Sequence, residues 1–475
     1  MRILSEFRRH GEQENRETRR ERRERTRWEE PMSLWRDRGR RISYPAPSTD
    51  IDADVVIVGA GFTGLWTAVL IAEENPGLSV AVLEAAQPGF GASGRNGGWC
   101  SALLPASDDV LDRTFGPGSA TALHSAARES VDLIGEYARR HSIDCSWEKG
   151  GTLTVATNLA QLERLRGSSA RDPRVELLDE AALHARVRIE GARGALFDPE
   201  CAALDPVALL QGLLDRCREL GVRVFGATRV VTIGRDHVIA DGAAGLVYAT
   251  TRQIVLATEA YVTRLKRQRR RLAPLYSFVV ATDPLPQRIW EEIGWEGRET
   301  IGEAGHMVTY AQRTLDGRIV FGGRGAPYAF GSDIHSSRDV NDEIHDRIVA
   351  RMNQLFPATV GVRISHRWGG PLGLPRDHMP GVWVDEETGA IHAGGYTGDG
   401  VALSHLIARI VCTRVCGNED PAASLPLNGH RPRRWEPEPF RWLGINAGLL
   451  AAWRADRAEA NGRSARLWSR ILDWF

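Results

Sequence analysis

The sequence predicts an α/β fold in which a Rossmann-like dinucleotide-binding domain carries an inserted, mainly antiparallel-sheet domain. Three observations predict it. Asp54 to Val58 is an apolar strand running into Gly59-x-Gly61-x-x-Gly64; Glu84 closes a second strand, Val80 to Leu83, twenty residues after Gly64; and from Tyr276 to Gly322 the apolar pattern becomes alternating. Gly59 permits the tight turn, Gly61 lets the backbone approach a pyrophosphate, and Gly64 lets the next helix pack on the strand. Phe62 and Thr63 lie between the glycines, and the helix, Leu65 to Glu74, turns its N-terminus toward the phosphates. Glu84, followed by Ala85, is placed to accept hydrogen bonds from the adenosine ribose hydroxyls.

The elements that follow support this division. Gly89 to Gly98 is dense in glycine, as a backbone passing close to a planar ligand requires. Helices are predicted over 119–141 and 206–220, with strands at Gly151 to Ala156 and Val222 to Phe225. Gln253 to Thr258 has the continuous apolar character of a buried parallel strand. Alternation at Tyr276 to Thr282, His306 to Gln312 and Arg318 to Gly322 predicts antiparallel strands of a second domain. A helix over 339–356 and a strand over 364–368 come next. Gly389 to Val401 returns to strand, glycine turn and helix.

The expected organisation is therefore discontinuous. Residues 51–105, 199–262 and 362–430 form the dinucleotide domain, 106–198 and 263–361 the substrate domain, and 437–475 a helical tail. Tail packing across the body is favoured over a membrane-surface or partner contact. Residues 1–31 are dominated by Arg and Glu and offer almost no apolar surface, so they are expected to be disordered or solvated, with Met32 as an alternative start.

Composition narrows the function classes. At 475 residues the chain exceeds one core, and 42% hydrophobic content is that of a globular enzyme. With 61 basic and 61 acidic residues there is no net charge to argue for a nucleic-acid partner. Two of the basic residues are lysines, Lys149 and Lys266, a bias that runs along the whole chain. The six cysteines show no Cys-x-x-Cys pair and no zinc spacing, so a reduced, cytoplasmic protein without a metal site is expected. No apolar run reaches the roughly 18 residues of a membrane span.

These motifs together resemble the FAD-dependent glycine/D-amino acid oxidase family, and within it the γ-glutamylputrescine oxidase-like branch. The resemblance rests on Gly59-x-Gly61-x-x-Gly64 with Glu84, the Gly91 to Gly98 run, the Leu256-Ala257-Thr258 strand end, Asp316-Gly317-Arg318-Ile319, and Gly394 to Val401. It implies noncovalent FAD, with Ser93, Gly94, Arg95, Asn96, Gly97 and Gly98 beside the flavin and the chain near Val230 over the adenine. Gly395, Tyr396, Thr397, Gly398, Asp399, Gly400 and Val401 would put a helix N-terminus under the flavin's pyrimidine edge. Relatives carry Asn where this chain has Glu259, so that contact does not carry over. No Cys or His lies in Gly370 to Pro375 or among Ser93 to Gly98, and His366 and Cys100 are more simply structural.

The chemistry implied is oxidation of an amine or amino acid C–N bond, by hydride transfer to flavin and hydrolysis of the imine. The electrons pass to oxygen or another acceptor. Tyr310 is a candidate for the flavin face, and Arg324 or Arg376 for pairing a substrate carboxylate; sheet packing and surface charge are the plain alternatives. A redox-inactive flavoprotein subunit, or another flavin or NAD oxidoreductase, is the rival reading. The second glycine turn at Gly394 to Val401 argues against NAD.

Overall fold

The computed structural model describes residues 33–472 apart from 243, 244, 266 and 326. The expectations for residues 1–31 and Met32 lie outside the described residues. The elements run α1 (Leu34–Arg38), β1 (Ile51–Val58), α2 (Phe62–Glu74), β2 (Val80–Leu83), β3 (Trp99–Ser101), α3 (Asp108–Phe115), α4 (Ser119–Arg140), β4 (Thr152–Ala156), α5 (Leu159–Ser169), β5 (Glu176–Leu178), α6 (Glu180–His184), β6 (Gly194–Asp198), β7 (Cys201–Ala203) and α7 (Pro206–Glu219). They continue through β8 (Arg223–Phe225), β9 (Arg229–Ile233), β10 (His237–Gly242), β11 (Gly245–Leu256), β12 (Ala273–Thr282), α8 (Gln287–Ile293), β13 (Thr300–Glu303), β14 (Thr309–Arg313), β15 (Ile319–Arg324), α9 (Asp342–Leu355), β16 (Ile364–Leu374), β17 (Gly381–Val384), β18 (Ile391–Gly394), α10 (Gly400–Cys416), α11 (Phe440–Ala460) and α12 (Arg466–Leu472).

Two eight-stranded sheets organise the molecule. The first has the order β17-β18-β11-β1-β2-β8, with the β9–β10 hairpin attached to β11. β1 lies parallel to both β11 and β2, placing Val56 opposite Ile254 and Ala81. Both faces of these strands are covered, which is why they read as unbroken apolar runs. Helices α2 and α10 pack side by side, with Trp66 edge-on to His405 at 4.9 Å. The second sheet has the order β16-β12-β15-β14-β13-β4-β6-β5 and is antiparallel apart from the β13–β4 pair.

The predicted boundaries shift in two places. β16, expected with the dinucleotide segments, pairs antiparallel with β12 along most of its length and belongs to the second sheet. α4, expected in the substrate segments, puts Leu123, Val131 and Ile134 into the core that α2 and α10 share. In both cases burial against a partner distant in sequence decides membership. In the tail, α11 buries Ile445, Ala451 and Ala455 while leaving Phe440, Leu443 and Leu450 exposed. Among the described residues no helix is long and apolar enough to cross a membrane.

Candidate active site

The ends of β1, β2, β9 and β11 meet the N-termini of α2 and α10 around one cavity of ≈ 970 Å³, the upper end of the range for cofactor sites. Its wall includes Thr228 and Val230 at the β9 end, Gly59, Gly61, Phe62 and Thr63 at the first glycine turn, and Tyr396, Gly398, Gly400 and Val401 at the second. Two helix N-termini thus face the same space, each turning the positive end of its dipole toward a ligand. At the first glycine turn the wall is main chain, because side chains have no room there. Gly59 has φ +106, and a Cβ on Gly61 would approach Ser93 Oγ to 2.9 Å. Gly64 lies behind the wall, where a Cβ would drive into the Gly59 carbonyl oxygen.

Glu84 and Ala85 line the cavity. The Glu84 carboxylate accepts from the Ala60 N–H at 2.9 Å and the Ala86 N–H at 3.0 Å, so it fixes the glycine turn as well as facing the ligand space. Burial pushes its carboxyl above the ordinary glutamate value, against the pull of those two N–H groups. Thr258 Oγ1, also on the wall, is buried without a hydrogen-bond partner among the described residues. An orphaned hydroxyl beside a glycine cradle fits a polar ligand such as a dinucleotide.

The loop predicted to run beside the flavin divides. Ser93 and Asn96 line the cavity, and Ser93 Oγ accepts from the Phe62 N–H at 2.9 Å. Gly94, Arg95, Gly97 and Gly98 turn away from it. Arg95 is buried in an ion pair with Asp339 at 2.9 Å and also donates to the carbonyls of Phe90 and Gly369. Burial outweighs that pairing and pushes the Asp339 carboxyl up to about 6. Gly94 sits where a Cβ would meet the Gly89 carbonyl, and Gly98, at φ +75, faces Gln312 and Leu204. The glycines here serve contact between the two domains as much as contact with a ring.

Sequence reading missed the brace behind this loop. Ser33 Oγ donates to the Gly94 carbonyl and Trp35 Nε1 to that of Asn96, both at 2.8 Å, while Leu34 and Trp35 are fully buried. The signal was present: a Ser N-cap, accepting from the Arg36 N–H, ahead of an apolar pair in a polar stretch.

Glu259 acquires a role that the resemblance did not supply. Its Oε1 accepts from the Gly373 N–H at 3.1 Å and its Oε2 from the Gly395 N–H at 2.8 Å, joining β16 to the second glycine turn. It lies on the cavity wall, and burial pushes its carboxyl up to about 7 although backbone N–H groups favour the charge. Gly395 is therefore held behind the wall. Thr397, at φ +56, donates to the His378 carbonyl, and Asp399 is the N-cap of α10.

Of the catalytic candidates, neither Tyr310 nor Arg376 lines the cavity. Tyr310 packs on Gly97 and Gly322, with its hydroxyl 3.1 Å from Ser277 Oγ, so it joins the glycine loop to the second sheet outside the cavity wall. Arg376 pairs with Glu436 at 3.2 Å and lies over the Trp435 ring. Arg324 ends β15 opposite Ser277, and its side chain lies outside the described residues. What adjoins the cavity is a small chamber of ≈ 40 Å³ lined by Leu275, Tyr276, Gly325, Leu372, Leu374, Thr397 and Leu449, with Leu372 shared between the two spaces.

Residues 54–414, well over half of the chain, match the DAO family, described as FAD dependent oxidoreductase. A γ-glutamylputrescine oxidoreductase of Escherichia coli K12 is 31% identical over 405 residues, covering 83% of this chain and 91% of that protein. A probable oxidoreductase OrdL of Haemophilus influenzae is 30% identical over 397 residues, with 81% and 87% covered. Glycine oxidase from Geobacillus kaustophilus shares the fold, with a TM-score of 0.66 at 20% identity over 81% of this chain and 100% of that one. FAD is thus the dinucleotide that Gly59, Gly61, Glu84, Val230 and the α10 N-terminus would hold. FAD is held noncovalently, and among the described residues no Cys or His lines the cavity. The chain belongs to the DAO family of FAD-dependent oxidoreductases.

Proposed function

We propose that the protein oxidises the C–N bond of an alkyl amine. The C–H bond next to nitrogen gives up a hydride, and water hydrolyses the resulting imine to a carbonyl compound and a smaller amine or ammonia. FAD, when bound, supplies the two-electron acceptor, which oxygen or another acceptor reoxidises. The observation that carries this reading is the apolar chamber of Leu275, Tyr276, Leu372, Leu374 and Leu449 against the cavity. An amine held beside an apolar wall is driven toward its neutral form, and the neutral amine is the form able to release hydride. Arg376, the candidate for a substrate carboxylate, is engaged by Glu436 and Trp435 instead, which supports a substrate whose reacting end lacks a carboxylate. The relative named for γ-glutamylputrescine supports the same class. We place the enzyme in the cytoplasm on its six free cysteines, of which Cys100, Cys145, Cys201, Cys217 and Cys412 are buried.

The test is anaerobic bleaching of the flavin's visible band by a panel of polyamines, γ-glutamyl amines, N-methyl amino acids and D-amino acids. Polyamines or γ-glutamyl amines are expected to bleach it. Bleaching confined to D-amino or N-methyl amino acids overturns the reading.

A further inference from the structure

The tail helix α11 lies beyond residues 54–414, the segment shared with the family, yet one of its side chains enters the chamber beside the cofactor cavity. Leu449 faces Leu275, Leu372 and Leu374 there, and it packs on the buried cluster of Ala273, Tyr328, Leu374, Trp435 and Ile445. We propose that α11, through Leu449, walls a chamber of ≈ 40 Å³ that takes the last carbons of an alkyl group reaching past Leu372 from the cofactor cavity, and so sets the length of the group that the enzyme accepts. The proposal rests on the amine reading above.

A wall discriminates only if it is held, and α11 is anchored on both sides of Leu449. One turn earlier, Asn446 accepts from the Tyr328 N–H at 2.9 Å and donates to the Tyr328 carbonyl at 3.2 Å. Two turns later, Asp456 accepts the N–H groups of His306 and Met307 at 2.7 and 2.8 Å, and Glu459 pairs with Arg164 at 2.6 Å. Just before the helix, Glu438 accepts from the Tyr328 hydroxyl and the Gly331 N–H, both at 3.0 Å. Gly331 itself lines the cofactor cavity, so the tail steadies the cavity rim as well as the chamber. A branched apolar side chain in a fixed wall acts by volume. In a packed apolar pocket one methylene more or less changes discrimination by about tenfold or more.

The experiment uses the FAD-loaded enzyme, Leu449→Ala and Leu449→Trp, with unbranched amines from propylamine to hexylamine. Two quantities are read for each: the concentration that half-saturates the shift of the flavin band, and the anaerobic bleaching rate. Leu449→Ala is expected to move the preferred chain length up by one or two carbons, changing the ratio between neighbouring amines by about tenfold. Leu449→Trp is expected to move it down. Flavin content and melting temperature report folding; if the Trp variant does not fold, the Ala variant decides. An unchanged ranking in the folded variants overturns the proposal while leaving amine oxidation intact. Amines that shift the wild-type band without bleaching it overturn the amine reading, and the binding ranking still judges Leu449. A wild-type enzyme that responds to none of them overturns both.

Discussion

The cofactor cavity and the small chamber beside it share Leu372 and are built in opposite ways. The cavity is largely a main-chain object: two glycine turns, two helix N-termini and a strand-end carboxylate bonded to backbone N–H groups. The chamber is a side-chain object assembled from β12, β16 and α11, elements that lie up to 174 residues apart, from Leu275 to Leu449. A main-chain site needs glycine at fixed spacing and therefore announces itself. A chamber made of leucines does not, because leucine is also what any core requires.

The largest effect that this contrast predicts is at Gly64. Gly64→Ala forces a Cβ into the Gly59 carbonyl, and neither strand nor helix can yield without moving the turn. The expected outcome is complete loss of bound flavin, read from the ratio of visible to protein absorbance. A folded variant with stoichiometric FAD refutes the main-chain account of the cavity. By contrast, truncating a chamber residue such as Leu275 to Ala should leave flavin content unchanged.

Next in size is the ion pair between the two regions. Asp339→Ala leaves Arg95 buried without its carboxylate, and breaking a buried pair from one side costs about 3–5 kcal/mol. The melting temperature should fall while flavin spectra of the surviving folded protein stay normal, since neither residue lines the cavity. A shift of the spectrum without loss of stability overturns the placement of Arg95 behind the loop.

A third prediction concerns pH. Glu259 has its carboxyl raised to about 7 from an ordinary value of 4.5, so the folded state binds that proton more tightly than the unfolded chain. Its contribution to stability is full below pH 4.5 and is lost as pH rises through 7. Glu259→Gln should therefore flatten the melting temperature against pH between 4.5 and 7. Asp339, raised to about 6, keeps a residual slope in the same direction. Parallel curves for the two proteins refute the assignment.

What could be read in advance follows the same divide. Gly59, Gly61, Glu84, Val230 and the turn at Gly398 and Gly400 were legible, because spacing fixes main-chain geometry. The antiparallel second sheet was legible from alternation. Tyr310 and Arg376 were not placed correctly by residue type: an aromatic and a cation in a promising segment say nothing of which way a strand faces or which acid lies across a loop. β16 escaped its domain because its pairing with β12 joins residues about 90 apart. Glu259 was legible only as a departure; its two N–H partners come from β16 and the second glycine turn.

The smallest predicted effect sharpens the picture of two turns acting as one cradle. Tyr396 and Thr63 sit on different glycine turns, and their hydroxyls are 2.7 Å apart in a buried contact. Burial, helped by the nearby Glu259 carboxylate, pushes the Tyr396 phenol well up, so it stays neutral and the contact is an ordinary hydrogen bond. Removing such a bond costs about 1 kcal/mol, and roughly fivefold in an equilibrium constant if all of it is felt by the cofactor. Tyr396→Phe should therefore weaken FAD binding by up to about fivefold, read from the dissociation constant of the reconstituted apoprotein. Thr63→Val should do the same. Because each removes the same contact, the double variant should be no weaker than either single one by more than the scatter of about 0.3–0.5 kcal/mol expected of independent sites. Additive losses would mean that each hydroxyl serves the cofactor separately, and that the two turns are not coupled.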